Sequence, residues 1–187
     1  MARRFHLEAS ACLLAAAMLL VLPLKWLAAA VVAAGVHEAC HYLALRLVKV
    51  DVYGVSVGGR GVVMRTGEMT PGQELVCALA GPVGGLLLLP FARWLPRVAL
   101  IGLIHSVYNL LPLFPLDGGR ALRSLCRMLF QESTAEKICR SAEVVCAAAV
   151  MVMGLYGALA LRLGILGLGF VCFGLRMIGK RKEASRC

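Results

Sequence analysis

Two histidines four residues apart, with a glutamate beside the first, lie inside a long apolar stretch: His37, Glu38 and His41 in WLAAAVVAAGVHEACHYLALRLV. On a helix, residues i and i+4 project from one face, one turn above the other. Two imidazoles so placed can share one divalent metal such as zinc, and the carboxylate between them can take a proton from a metal-activated water. In a chain of this length the pattern H-E-x-x-H arises by chance about once in 200. A glutamate and two histidines are rarer still in so apolar a run. The competing role is structural, with the three residues as hydrogen-bonded groups packing one helix against another. A catalytic zinc commonly takes three protein ligands and leaves a fourth position for water or substrate, so a further ligand is expected elsewhere.

Asp117 fits that expectation. The stretch LIHSVYNLLPLFPLDGGRAL leads through Asn109, Pro112 and Pro115 to Asp117, Gly118 and Gly119. The prolines remove helical hydrogen bonds and disfavour α geometry just before them, which predicts irregular backbone and a carboxylate carried on a loop. At membrane depth such backbone needs cover from protein or a water-filled cavity. The alternative role for Asp117 is N-cap of the amphipathic helix that follows. His105, four residues before Asn109, shares a helical face with it. It is either a support that orients a ligand or a packed core histidine. Cys40 points about 100° away from His41 on a helix and reads as a packing residue, and His6 reads as a surface residue at headgroup level.

The elements that must position these groups follow from composition. The 187 residues are 60% hydrophobic and 16% charged, with a formal net charge of +10. A soluble domain is nearer 45–50% apolar and about 25% charged, and a chain this small has too little interior to hide so much apolar surface. Disorder is excluded by the same excess. Nucleic-acid binding would need Lys and Arg displayed on a polar fold, so no nucleic-acid partner is expected. The eight cysteines include no C-x-x-C pair; they read as small buried apolar residues.

The fold class expected is an all-α polytopic membrane protein forming a single domain, with about six spans near residues 9–24, 26–48, 74–91, 98–116, 142–161 and 163–178. Each approaches the roughly 20 residues that cross a bilayer. The first is preceded by Arg3 and Arg4 and could pass for a signal peptide, but no small-x-small site followed by a polar chain appears. It is read as a retained helix. Placing both termini in the cytoplasm puts sixteen of the 20 Lys and Arg inside, as the positive-inside rule asks. Lys25, Arg93, Arg97 and Arg162 remain outside. Between the second and third spans, residues 50–64 alternate Val and Tyr around Gly58-Gly59, a β-hairpin signal. An isolated hairpin is marginal in water, so it is expected on the membrane or against the helices. Residues 119–139 carry an amphipathic helical pattern, read as a basic connector at the headgroups.

H-E-A-C-H in one span and N-L-L-P-L-F-P-L-D-G-G-R closing a later one resemble the site-2 protease family of intramembrane zinc metalloproteases. The likeness covers residues 35–123 and leans towards the bacterial sporulation type that processes a sigma-factor precursor. It implies His37, His41 and Asp117 as ligands of one zinc per chain and Glu38 as general base. Asn109 matches the family's polar residue near the active site, which positions substrate or stabilises the oxyanion. Ala80–Gly85 (A-G-P-V-G-G) matches its glycine-rich third-span region. Neither a PDZ nor a CBS domain is expected, which puts nucleotide sensing in doubt. The resemblance implies a membrane-associated protein substrate cut within or near its transmembrane segment, in a bacterial cytoplasmic membrane. It leaves open an inhibitory or regulatory membrane partner and self-association. A zinc-binding transporter and a catalytically silent scaffold are the alternatives. The first would want more ligands along a path than His105 alone, and against the second all the required side chains are present.

Overall fold

The computed structural model describes residues 4–7, 9, 16, 18–20, 22–58 and 61–159. The expected sixth span lies wholly outside these residues, and so does half of the first. The chain divides into two compact units, residues 1–110 and 111–187.

The first unit contains β1 (Arg4–Leu7), α1 (Leu24–Leu47), β2 (Val52–Gly58), β3 (Gly61–Thr66), α2 (Pro71–Leu86), a short 3-10 turn (Leu89–Phe91) and α3 (Pro96–Asn109). The three helices pack pairwise on one another. Their interior is built from small residues. Ala29, Ala33 and His37 recur every four positions along α1, and Cys77, Ala78, Gly81, Gly84 and Gly85 line the buried face of α2. Large apolar side chains point outward instead, among them Val31, Val32, Leu43, Leu47, Val76, Val83, Leu100 and Ile104. Water would penalise such a surface. In lipid there is no such penalty, and small residues are what let helix backbones approach closely.

The end of α1 is set by backbone chemistry. Val50 N–H bonds to Leu45 C=O and Lys49 N–H to Arg46 C=O, the paired bonds of a Schellman motif. Val50 and Leu45 also meet in one buried cluster, the apolar contact that accompanies this cap. Lys49 holds the left-handed position at φ 58°, where a Cβ is penalised. Lys49→Gly is therefore expected to stabilise the fold by about 0.5–1 kcal/mol; a lower thermal midpoint in detergent would sink that reading.

At the start of α2 the segment T-P-G-Q forms a capping box. Gln73 N–H donates to Thr70 Oγ1 at 3.3 Å, and Thr70 N–H donates to Gln73 Oε1 at 2.9 Å. Pro71 takes the first helical position, where its missing N–H costs nothing. Gln73 Nε2 donates to Val48 C=O at 3.1 Å, tying the start of α2 to the end of α1. The helix therefore begins three residues before the expected Glu74.

The expected hairpin forms: β2 and β3 pair antiparallel, with Val55 opposite Met64 and Val57 opposite Val62. Val52 and Met64 pack against Ala44, Leu45 and Cys77, so the helix ends support it. The sheet is larger than expected, because β1 pairs parallel with β2, Arg4 opposite Gly54 and Leu7 opposite Val57. Arg4–Leu7 is only four residues long, and its partner is about fifty positions away, so neither local pattern nor turn chemistry announced it.

The second unit contains α4 (Asp117–Leu129) and α5 (Glu132–Leu159). They pack together through Cys126, Ala135 and Cys139, with Leu122 against them. The expected amphipathic segment 119–139 is thus two elements, interrupted where Phe130 adopts extended backbone. The expected span at 142–161 starts ten residues earlier, at Glu132.

Three described helical segments are long and apolar enough to cross a membrane: Leu24–Leu47, Pro71–Phe91 and Glu132–Gly157. The expected fourth span, 98–116, is helical only to Asn109. The chain then turns, with Leu113 N–H bonded to Leu111 C=O and Leu116 N–H to Leu113 C=O, as the two prolines require.

Candidate active site

Within the first unit, α1 carries His37, Glu38 and His41 at its centre. The two imidazoles stand edge to face, ring centroids 4.7 Å apart, and their Nε2 atoms are 3.1 Å apart. His41 Nδ1 lies 2.7 Å from the Cys77 carbonyl oxygen on α2. A carbonyl can only accept, so His41 donates from Nδ1 and presents its Nε2 lone pair. Such a bond to the far nitrogen orients metal-ligating histidines. His37 is 2% exposed, and Glu38, the next residue along α1, is half-buried.

Gly81 on α2 packs closely against both imidazoles. A Cβ built there would sit 2.6 Å from His37 Nε2 and closer still to His41 Nε2. Nitrogen ligands about 2.0–2.1 Å from a tetrahedral zinc stand roughly 3.3 Å apart, near the observed 3.1 Å. The spacing of the pair therefore fits a metal of zinc's size and preference for imidazole.

The neighbouring glycines set the helix spacing. Gly84 lies against Cys40 of α1, so Cys40 packs as expected, and Gly85 lies against Gly102 and Ser106 of α3. Ser106 Oγ–H donates to Pro82 C=O at 2.8 Å, fully buried. This fixes α3 beside the site. One residue before Ser106, His105 packs its ring edge to face with His37, centroids 4.5 Å apart at 85°. Asn109 Nδ2–H donates to the His105 carbonyl at 3.0 Å, so its amide turns back on the last turn of its own helix.

Asp117 belongs to the second unit. It is 8% exposed and opens α4 rather than sitting on a loop; the N-cap is Leu116, with extended backbone. Both readings of Asp117 from sequence, loop carboxylate and N-cap, thus shift by one position. The prolines end α3 early, and a new helix starts at the aspartate itself. A carboxylate in a first helical turn is favoured by the helix dipole. Gly119 explains part of the D-G-G spacing, since a Cβ there would collide with the Leu113 and Phe114 backbone.

Two contributors escaped the sequence reading, the Cys77 carbonyl and the close approach at Gly81. The first is a main-chain atom and carries no residue signal. The second was visible only as a glycine-rich patch.

Residues 89–153 match the model of peptidase family M50, a stretch that includes Asn109 and Asp117 and begins after the histidine helix. None of the curated proteins compared matches the chain. Among solved structures it is similar to the site-2 protease from Methanocaldococcus jannaschii. The identity is 22%, over 91% of this chain and 88% of that one, and the TM-score is 0.61. At that identity the likeness speaks for the fold, and it agrees with the family match. About a third of the chain thus resembles peptidase family M50, and the fold of nearly the whole chain is similar to that of a site-2 protease.

Proposed function

We propose that this membrane metalloprotease hydrolyses a peptide bond within or near the transmembrane segment of a membrane-associated protein. His37, His41 and Asp117 hold one zinc ion, and Glu38 acts as general base. The observation that carries this reading is the pair of Nε2 atoms 3.1 Å apart on one face of α1. Two imidazoles and a carboxylate are a donor set that can hold a divalent ion, and one that suits zinc.

Zinc held there supplies an acidified water and polarises the scissile carbonyl. Glu38 takes the proton of the attacking water and returns it to the departing amine. Asn109 donates an amide N–H to the charge that develops on the carbonyl oxygen, releasing its bond to His105 C=O. Cys77 C=O keeps His41 in the tautomer that presents Nε2. The substrate must be extended at the cleaved bond, because helical carbonyls are already bonded. β1 occupies one edge of β2, and among the described residues the outer edge of β3 pairs with no other strand. That edge can take an extended segment by strand addition. The pairing of β1 with β2 joins residues 4–7 to the hairpin, which supports the reading that these two segments lie on one side of the bilayer.

Metal content tests the ligand set. The full chain purified in detergent is expected to hold one zinc per chain, and His41→Ala and Asp117→Ala are expected to lose most of it. If Asp117→Ala retains zinc at wild-type affinity, the carboxylate is not a ligand.

A further inference from the structure

The two histidines of α1 are held from different neighbours. His41 is oriented from α2, by the Cys77 carbonyl 2.7 Å from its Nδ1. His37 is met from α3, where the His105 ring stands against it at 85° with centroids 4.5 Å apart. An imidazole on a helix has several accessible χ1 and χ2 settings, and only some of them turn His37 Nε2 towards His41 Nε2. Edge-to-face packing places the positive edge of one ring on the negative face of the other, so it selects an orientation as well as filling space.

The support behind His105 is stiff. Ser106, the next residue, is fully buried and donates to Pro82 C=O of α2 at 2.8 Å. Gly102 and Gly85 allow α3 and α2 into backbone contact. The His105 carbonyl accepts from Asn109 one turn later. The ring is thus mounted on a helix that cannot slide without breaking these contacts.

We propose that His105 is a positioning residue for the metal centre, holding the His37 ring so that its Nε2 converges with that of His41. The proposal rests on His37 and His41 being metal ligands, as read above. His105 acts through ring packing and is not itself a ligand.

The test is metal binding by the full chain in detergent, using zinc in competition with a chromophoric chelator and the visible spectrum of the cobalt(II)-loaded protein. His105→Ala is expected to weaken zinc binding by about 10–100-fold, the effect typical of groups that orient metal ligands, and to alter the cobalt spectrum. His105→Leu keeps apolar bulk without an aromatic edge and is expected to weaken binding likewise. It carries the comparison if the alanine variant does not fold. His105→Phe restores the edge and is expected to recover most of the affinity and the spectrum. Wild-type affinity and spectrum in His105→Leu would overturn the proposal, as would a phenylalanine variant that falls as far as leucine. His37→Ala separates this proposal from the reading beneath it. Zinc binding that survives His37→Ala overturns both; zinc lost there but kept in His105→Leu overturns the positioning role alone.

Discussion

Replacing Glu38 by Gln is expected to lower peptide-bond cleavage by about 10²–10⁴-fold, the contribution of a positioned general base, while zinc content stays at the wild-type level. The amide matches the carboxylate in size but cannot accept a proton from the attacking water. Glu38 is half-buried and is not one of the proposed ligands, so the change removes no ligand atom. Cleavage of a membrane-protein substrate co-expressed with the variant, together with its metal analysis, checks both halves. Cleavage at the wild-type rate would remove Glu38 from the mechanism. Lost zinc would instead show that the carboxylate supports the ligands. The inactive, metal-loaded variant should also retain bound substrate, which gives a route to the substrate itself.

Gly81→Ala is expected to be nearly as damaging, although it removes no functional group. The added methyl would lie 2.6 Å from His37 Nε2 and His41 Cε1, and nearer still to His41 Nε2. Those are the two nitrogens the proposed metal needs, so the methyl displaces the rings that would hold the ion. Either the rings turn away or α2 moves off α1. Ring rotation loses zinc and activity together at little cost in stability. Helix movement adds an overpacking penalty of about 1–3 kcal/mol. Zinc affinity and thermal midpoint measured on the same preparation tell these apart. A variant that binds zinc normally would mean that the close packing at Gly81 does not hold the rings in their metal-binding orientation.

The local features could be read because their causes are local. H-E-x-x-H on a helix puts His37 and His41 on one face by geometry alone, and the structure keeps them there. Pro112 and Pro115 end α3 before residue 116 because a missing N–H acts within one turn. Alternating Val and Tyr around a glycine pair specify a hairpin between adjacent strands. Each of these spans fewer than about twenty residues. What escaped was set by pairing across distance. β1 is four residues long and gains its structure from β2. The bond from His41 to the Cys77 carbonyl joins positions thirty-six apart. It uses a main-chain oxygen that every residue carries. The start of α4 at Asp117 depends on how the preceding turn packs Leu113, which is 1% exposed, over Gly119.

The sequence by itself therefore determined which chemistry is available: two imidazoles, two carboxylates and an apolar setting that makes polar groups costly unless they have work to do. Side-chain identity and helical period carry that much. Only the tertiary structure decided how the two histidines are aimed. His41 takes its tautomer from α2, His37 meets a ring from α3, and Gly81 lets α2 close on both. Orientation and room arise where separate helices meet, and no single stretch of chain encodes a meeting of three.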